Sequence, residues 1–255
     1  MVSFAKESAT IALGVWLASR NALVRLSLVL AALVAVLSVG IAIATKGRLA
    51  AQLPAMVSLG TAWSLGVTLA FGGGLRAIAH DEQDGVLALV RMRAVPEAHY
   101  ARGRVVGLIL LLALSVGGAT LVAALAATAV ATERLAVARE GAAALAYALA
   151  FAMVIGPVAF AAVATGTRAG GYLILVAILA LPELAAPWTA GLLPQGWHEL
   201  TSIPAALDAV RAGVASPSTA GLPLLRAVAG LTAVVAASLA VVQARVRHVQ
   251  PKAGA

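Results

Sequence analysis

The chain has no cysteine. That excludes disulfides, thiolate nucleophiles, iron–sulfur clusters and thiolate zinc sites. Charge is scarce as well. Charged residues make up 11% of 255, less than half the ~25% of an ordinary soluble domain. Aromatic residues are only 4%, so the 62% that is hydrophobic is mostly Ala, Leu and Val. A single soluble core at this length has too little interior for that much apolar surface. The shortage of charge therefore excludes an ordinary globular enzyme, and the excess of apolar residues excludes a disordered tail. The composition is that of an all-α, multi-spanning membrane protein.

What is present is a series of long apolar runs. A spanning helix needs ~20 mainly apolar residues to cross ~30 Å. Stretches free of Asp, Glu, Lys and Arg cover residues 26–44, 49–75, 105–132, 141–167 and 227–244. Pro54 suits the first turn of the second. A further run, 169–182, holds only 14 residues between Arg168 and Glu183. At ~1.5 Å per residue it spans ~21 Å, too short to cross alone. It serves as a fifth span only if the helix carries Glu183 onward toward Pro187 and Trp188.

Six spans place both termini on one side. The segments on that side hold twelve of the 18 basic residues, and the opposite segments hold six. The positive-inside bias puts the richer side, with both termini, in the cytoplasm. The net charge of +8 is thus a matter of topology, with no nucleic-acid partner implied. Residues 1–22 resemble a weak signal peptide, but Glu7 sits beside the one early lysine, Lys6. Two other readings stand. Phe4, Ile11 and Val15 on one helical face, with Trp16, suit an interfacial helix. The segment also suits the opening turns of span one.

Catalytic patterns are missing. His198-Glu199 starts like a zincin helix, but Ser202 stands where the second His belongs. The four histidines are scattered, which disfavours a metal site. There is no Gly-x-Ser-x-Gly elbow and no phosphate-binding Gly-x4-Gly-Lys-Ser/Thr loop. Asp84-Gly85 begins like the CDP-alcohol phosphotransferase motif, but Ala88 and Leu89 break it.

The most polar segment is 76–104. It predicts an acidic helix start at Asp81, Glu82 and Asp84, an apolar stretch from Val86 to Val90, and a break at Pro96. It contains Asp81-Glu82-Gln83-Asp84-Gly85-Val86-Leu87 and then Tyr100-Ala101-Arg102-Gly103-Arg104-Val105. This pattern resembles the first cytoplasmic loop of permease subunits of type-2 ATP-binding-cassette exporters. In them an acidic pair precedes Gly, a Leu-rich stretch and a turn follow, and Gly-Lys enters span three. The chain departs at Ala94, Ala88 and Arg104, where that family has Pro, an acidic residue and Lys.

The resemblance implies a single permease domain over 1–255 in a bacterial inner membrane. Its fold is six spans, an N-terminal interfacial helix and a cytoplasmic coupling helix between spans two and three. The coupling residues are Asp81, Glu82, Asp84, Gly85, Leu87, Gly103 and Arg104. Leu87 and Val90 would enter a groove of a separate ATPase subunit, and the carboxylates would pair with basic residues at its rim. The chain would hold no cofactor, while ATP and magnesium would sit in the partner. A second permease copy would complete a path formed by spans one, two and five. Its apolar lining suggests a lipid-like or amphipathic cargo, or haem.

Glu183 either lines that path or meets water where Pro182 ends the helix. The outer segment 184–223 predicts a short interfacial helix over 203–210. Gly103-x3-Gly107 allows close helix approach, Pro157 a kink in span four, and Arg245 and Arg247 contact with anionic membrane lipid. Two other functions compete: a solvated loop on a non-transporting membrane scaffold, and a lipid-modifying membrane enzyme.

Overall fold

The computed structural model describes residues 2–74, 77–92, 97–163, 168–189, 197–217 and 221–248. Among them there is no strand. The helices are α1 (Val2–Ser19), α2 (Ala22–Ala44), α3 (Leu53–Thr61), α4 (Val67–Gly74), α5 (Ala77–Gln83), α6 (Val86–Met92) and α7 (Glu97–Leu112). They continue with α8 (Gly118–Val130), α9 (Arg134–Val163), α10 (Arg168–Thr189), α11 (Trp197–Thr201), α12 (Ile203–Ala215) and α13 (Gly221–His248). One π-helical turn, Ala62–Gly66, joins α3 to α4, and another, Ala113–Gly117, joins α7 to α8.

Among the described residues six stretches are long and apolar enough to cross a membrane: α2, α3–α4, α7–α8, α9, α10 and α13. The chain is an all-α polytopic membrane protein. Helices suit this setting because they satisfy their own backbone hydrogen bonds where no water is at hand. Local chemistry sets their ends. Asn21 caps α2, accepting from the Leu23 N–H at 2.9 Å. The same side chain donates to the Gly72 carbonyl at 2.7 Å, tying span one to the end of span two. Gly47, at φ +78°, closes the other end of α2 by donating to Ala42.

The fifth span resolves the question of length. Proline does not stop α10, which passes through both Pro182 and Pro187. Its apolar stretch, Gly170–Trp188, is 19 residues. At ~1.5 Å per residue that is ~28 Å, about the hydrocarbon thickness. Glu183 is inside the helix, so the expected stop at Pro182 does not occur.

Span four is the hub. In its apolar window 72% of residues are buried, against 11% in span five. Tyr147, Phe151 and Phe160 of α9 are fully buried in the main core, which also takes Leu69, Leu108, Leu112 and Leu207. The outer segment adds to that core. The helix expected over 203–210 runs on to Ala215, and Ile203, Ala206 and Leu207 are buried, so α12 docks on the bundle. The two π-helical turns meet each other and span four. Trp63, in the first, donates to the Tyr147 hydroxyl at 2.7 Å and packs edge-on to Phe151.

The N-terminal helix does not continue into span one. It is separated by Asn21 and lies across the start of α7. Glycines make that crossing tight. A Cβ on Gly14 would stand 2.2 Å from the Gly103 carbonyl oxygen, and one on Gly103 would stand 2.6 Å from that of Thr10. A Cβ on Gly107 would stand 2.6 Å from the Gly14 backbone. The Gly103-x3-Gly107 pair is thus a packing site, its partner being Gly14 of α1.

Gly14→Ala is expected to lower thermal stability in detergent, because backbone must move; overpacking of this kind costs about 1–3 kcal/mol. Gly40→Ala, with nothing within 4 Å of its Cβ position, is the matched control. Equal melting temperatures for the two variants would mean that α1 is not seated as described.

Candidate functional site

The polar loop folds as two short helices. The sequence pattern predicts a helix start at the acidic residues, but Asp81 and Glu82 lie at the end of α5 and Asp84 just past it. Gly85 makes the joint at φ +73°, a left-handed backbone that glycine adopts without steric cost. Glu82 lies in α5 and Leu87 in α6; their side chains fall outside the described residues, as does Pro96.

Asp81 does not face outward. Its side chain is 4% exposed and that of Arg104 is 5% exposed, with Arg104 Nε 3.0 Å from Asp81 Oδ2. The Nε–H is not aligned as a hydrogen bond, so the contact is one of charge on charge. The Tyr100 hydroxyl donates to the same carboxylate oxygen. Tyr100 and Arg104 are four residues apart on α7 and so share a face. Burial pushes the Asp81 carboxyl above the usual carboxylate range, and Arg104 and Tyr100 pull it partly back. Asp81 thus meets a cation where the resemblance implies a basic residue of a partner. Its cation is in its own chain, because α5 folds back onto the start of span three.

Asp84 is half-exposed, with Arg20 Nη1 at 3.9 Å. The Arg20 guanidinium stands 5.1 Å from the Trp16 ring centre. These contacts link the α5–α6 joint to the end of α1. The outward face of α6 also differs from expectation. Val90 is buried and Val86 half-buried, one helical turn apart, because this side packs on the main core. Leu89 and Met92 face out, at 56% and 75% exposure. Between α1 and α6 is an apolar groove of 890 Å³, lined by Leu13, Trp16, Val86 and Leu89, with Arg20 and Asp84 among its polar members.

The other singled-out residues separate into two places. Gly103 is buried in the α1–α7 crossing, one residue from Arg104. Glu183 is at the opposite end of the bundle. It accepts from the Ser202 hydroxyl, and His198 Nε2 lies 3.4 Å from Oε1. Ser202 also caps α12 by accepting from the Ala205 N–H at 3.2 Å. Glu183 thus braces the α12 cap and borders a 490 Å³ cavity with Asp208 and His198. Among the described residues no cluster of three or more His, Asp or Glu is placed to hold a metal.

Tyr100, Gly14 and the Trp63–Tyr147 pair carry structure that the sequence patterns did not assign. Tyr100 had a signal: it precedes Arg104 by four residues, facing a loop rich in carboxylates. Trp63 and Tyr147 are 84 residues apart and had none. No protein-family model matches the chain, and no curated protein matches its sequence.

Asp81→Asn is expected to destabilise the fold by about 3–5 kcal/mol, since it leaves a buried arginine uncompensated. Tyr100→Phe should cost about 1–3 kcal/mol by removing a donor to a buried carboxylate. A cycle pairing Asp81→Asn with Arg104→Gln, followed by thermal unfolding, checks the coupling. Additive effects would show that the two side chains do not interact.

Proposed function

We propose that this chain is the membrane-spanning subunit of an ATP-driven exporter of the type-2 ATP-binding-cassette class. The observation that carries the proposal is the buried Asp81–Tyr100–Arg104 contact. It fastens the loop to the first turns of span three, so a push on α5–α6 is transmitted to a membrane span. A loop that only fixed topology would have no need of a buried ion pair. The exposed Leu89 and Met92 then form the apolar face offered to a separate ATPase, with Asp84 beside them.

The chain supplies no phosphate-binding loop, so ATP and magnesium belong to that partner subunit. In this proposal the chain itself is no enzyme. It sits in a bacterial inner membrane with both termini and the α5–α6 loop in the cytoplasm. It works with a second permease copy, identical or not. Three spans are side by side at the loop end of the bundle. Gly72 of span two abuts Leu23 of span one, and Phe71 of span two meets Tyr172 of span five edge-on at 5.3 Å. Span two presents Gly60, Ser64 and Thr68 outward, each hydroxyl bonded to its own helix at 2.5 or 2.7 Å. Such a face suits a path shared between two copies. The cargo fitting an apolar path is lipid-like, amphipathic or haem.

Asp84→Lys and Leu89→Asp test this reading on the outer face, where Leu89 is exposed and Asp84 makes only a solvent-screened contact with Arg20. Each should reduce the ATPase rate of the complex recovered from host membranes by about tenfold or more, as expected for truncating a docking hot spot. Both variants should still insert. Unchanged ATPase activity in both, with normal insertion, supports a non-transporting scaffold instead.

A further inference from the structure

A second feature involves none of the loop residues. A crevice of 320 Å³ opens between spans four, five and six on the side of the termini. Small side chains leave the space, Ala161 and Ala162 on α9 and Ala237 on α13, with Ile178 of α10 across from them. Span five touches its neighbours little, so the gap is not closed by protein. Along α13 the lining runs from Val234 to Arg245, positions eleven residues apart. At ~1.5 Å per residue that is ~16 Å, the depth of one leaflet of a ~30 Å hydrocarbon core. The apolar part lies at membrane depth, and among the described residues the charged lining residue is Arg245, at its end.

Arg245 is held in place there. Its Nη1 donates to the Ala161 carbonyl at 2.8 Å, near the last turn of α9. A guanidinium keeps its positive charge whatever it bonds, and its planar fork suits phosphate. We propose that this crevice is a lipid site. One acyl chain of an anionic phospholipid fills the gap between spans four, five and six, and its phosphate sits at Arg245. The lipid completes the packing of span five, which the chain alone leaves loose. This inference requires only the six-span fold and stands apart from the exporter assignment.

The test is native mass spectrometry of the full chain from mixed micelles holding equal amounts of phosphatidylglycerol and phosphatidylcholine. The wild type should retain phosphatidylglycerol over phosphatidylcholine by about fivefold, the effect of one basic residue near an anionic surface. Arg245→Gln should abolish the preference, and Arg245→Lys should keep most of it. Ala237→Phe, at an exposed wall position, should lower retention of both lipids. Ile178→Trp fills the same gap from the other side and replaces it if the phenylalanine variant does not fold. Leu173→Phe, exposed and outside the crevice, should change nothing. No preference in the wild type, a preference that survives Arg245→Gln, or filled crevices that retain as much lipid would each overturn the proposal.

Discussion

An aspartate and an arginine facing each other almost without water fix where the loop meets the third span. In a chain with so few charges, such a contact has few competitors. Each ion would cost several kcal/mol to bury alone, so the pair forms in one register or the segment does not pack at all. The Tyr100 hydroxyl supplies a further donor to the same carboxylate and narrows the geometry again. α5 is thereby held against α7, and the joint at Gly85 aims α6 outward.

The same stretch of α7 receives α1. Gly103 and Gly107 remove the side chains that would hold the helices apart, and Gly14 does so from the other side. Loop, N-terminal helix and third span therefore converge within a few residues of Arg104. Arg20 and Asp84 add a weaker contact at the exposed edge, where water screens it. A displacement of the loop must move these elements together. The proposed exporter reading relies on that mechanical unity, rather than on any single exposed charge, for the loop to act as a lever. Elsewhere the bundle offers places that can yield: two π-helical turns face each other in spans two and three, against the aromatic centre of span four.

Much of the architecture was legible in the sequence because lipid imposes a simple rule. Long uncharged runs must be helices, and six of them follow from the positions of the charges. The ends were less legible. Pro182 and Pro187 read as stops in water, but a helix in a membrane tolerates proline when neighbours satisfy the freed backbone groups. At Glu183 the sequence alone leaves a path-lining residue or a helix end; Ser202 and His198, nineteen and fifteen residues later, give it a bracing role. The motif spacing singles out Asp81, Asp84, Gly103 and Arg104 but does not say which of them face outward. Periodicity over seven residues cannot say which side of α6 is covered, and Val90 turned inward because the core lay there. The glycine crossing was visible only as half of a pair, since Gly14 and Gly103 are far apart in the chain.

The most direct test of the coupling claim is to purify the chain from its native host in mild detergent and identify what comes with it. The account predicts a soluble ATPase with a phosphate-binding loop, near one copy per copy of this chain, lost when Asp84 and Leu89 are replaced together. Recovery of the chain alone, from a preparation that keeps comparable membrane complexes intact, would contradict it and leave the α5–α6 loop as a structural brace.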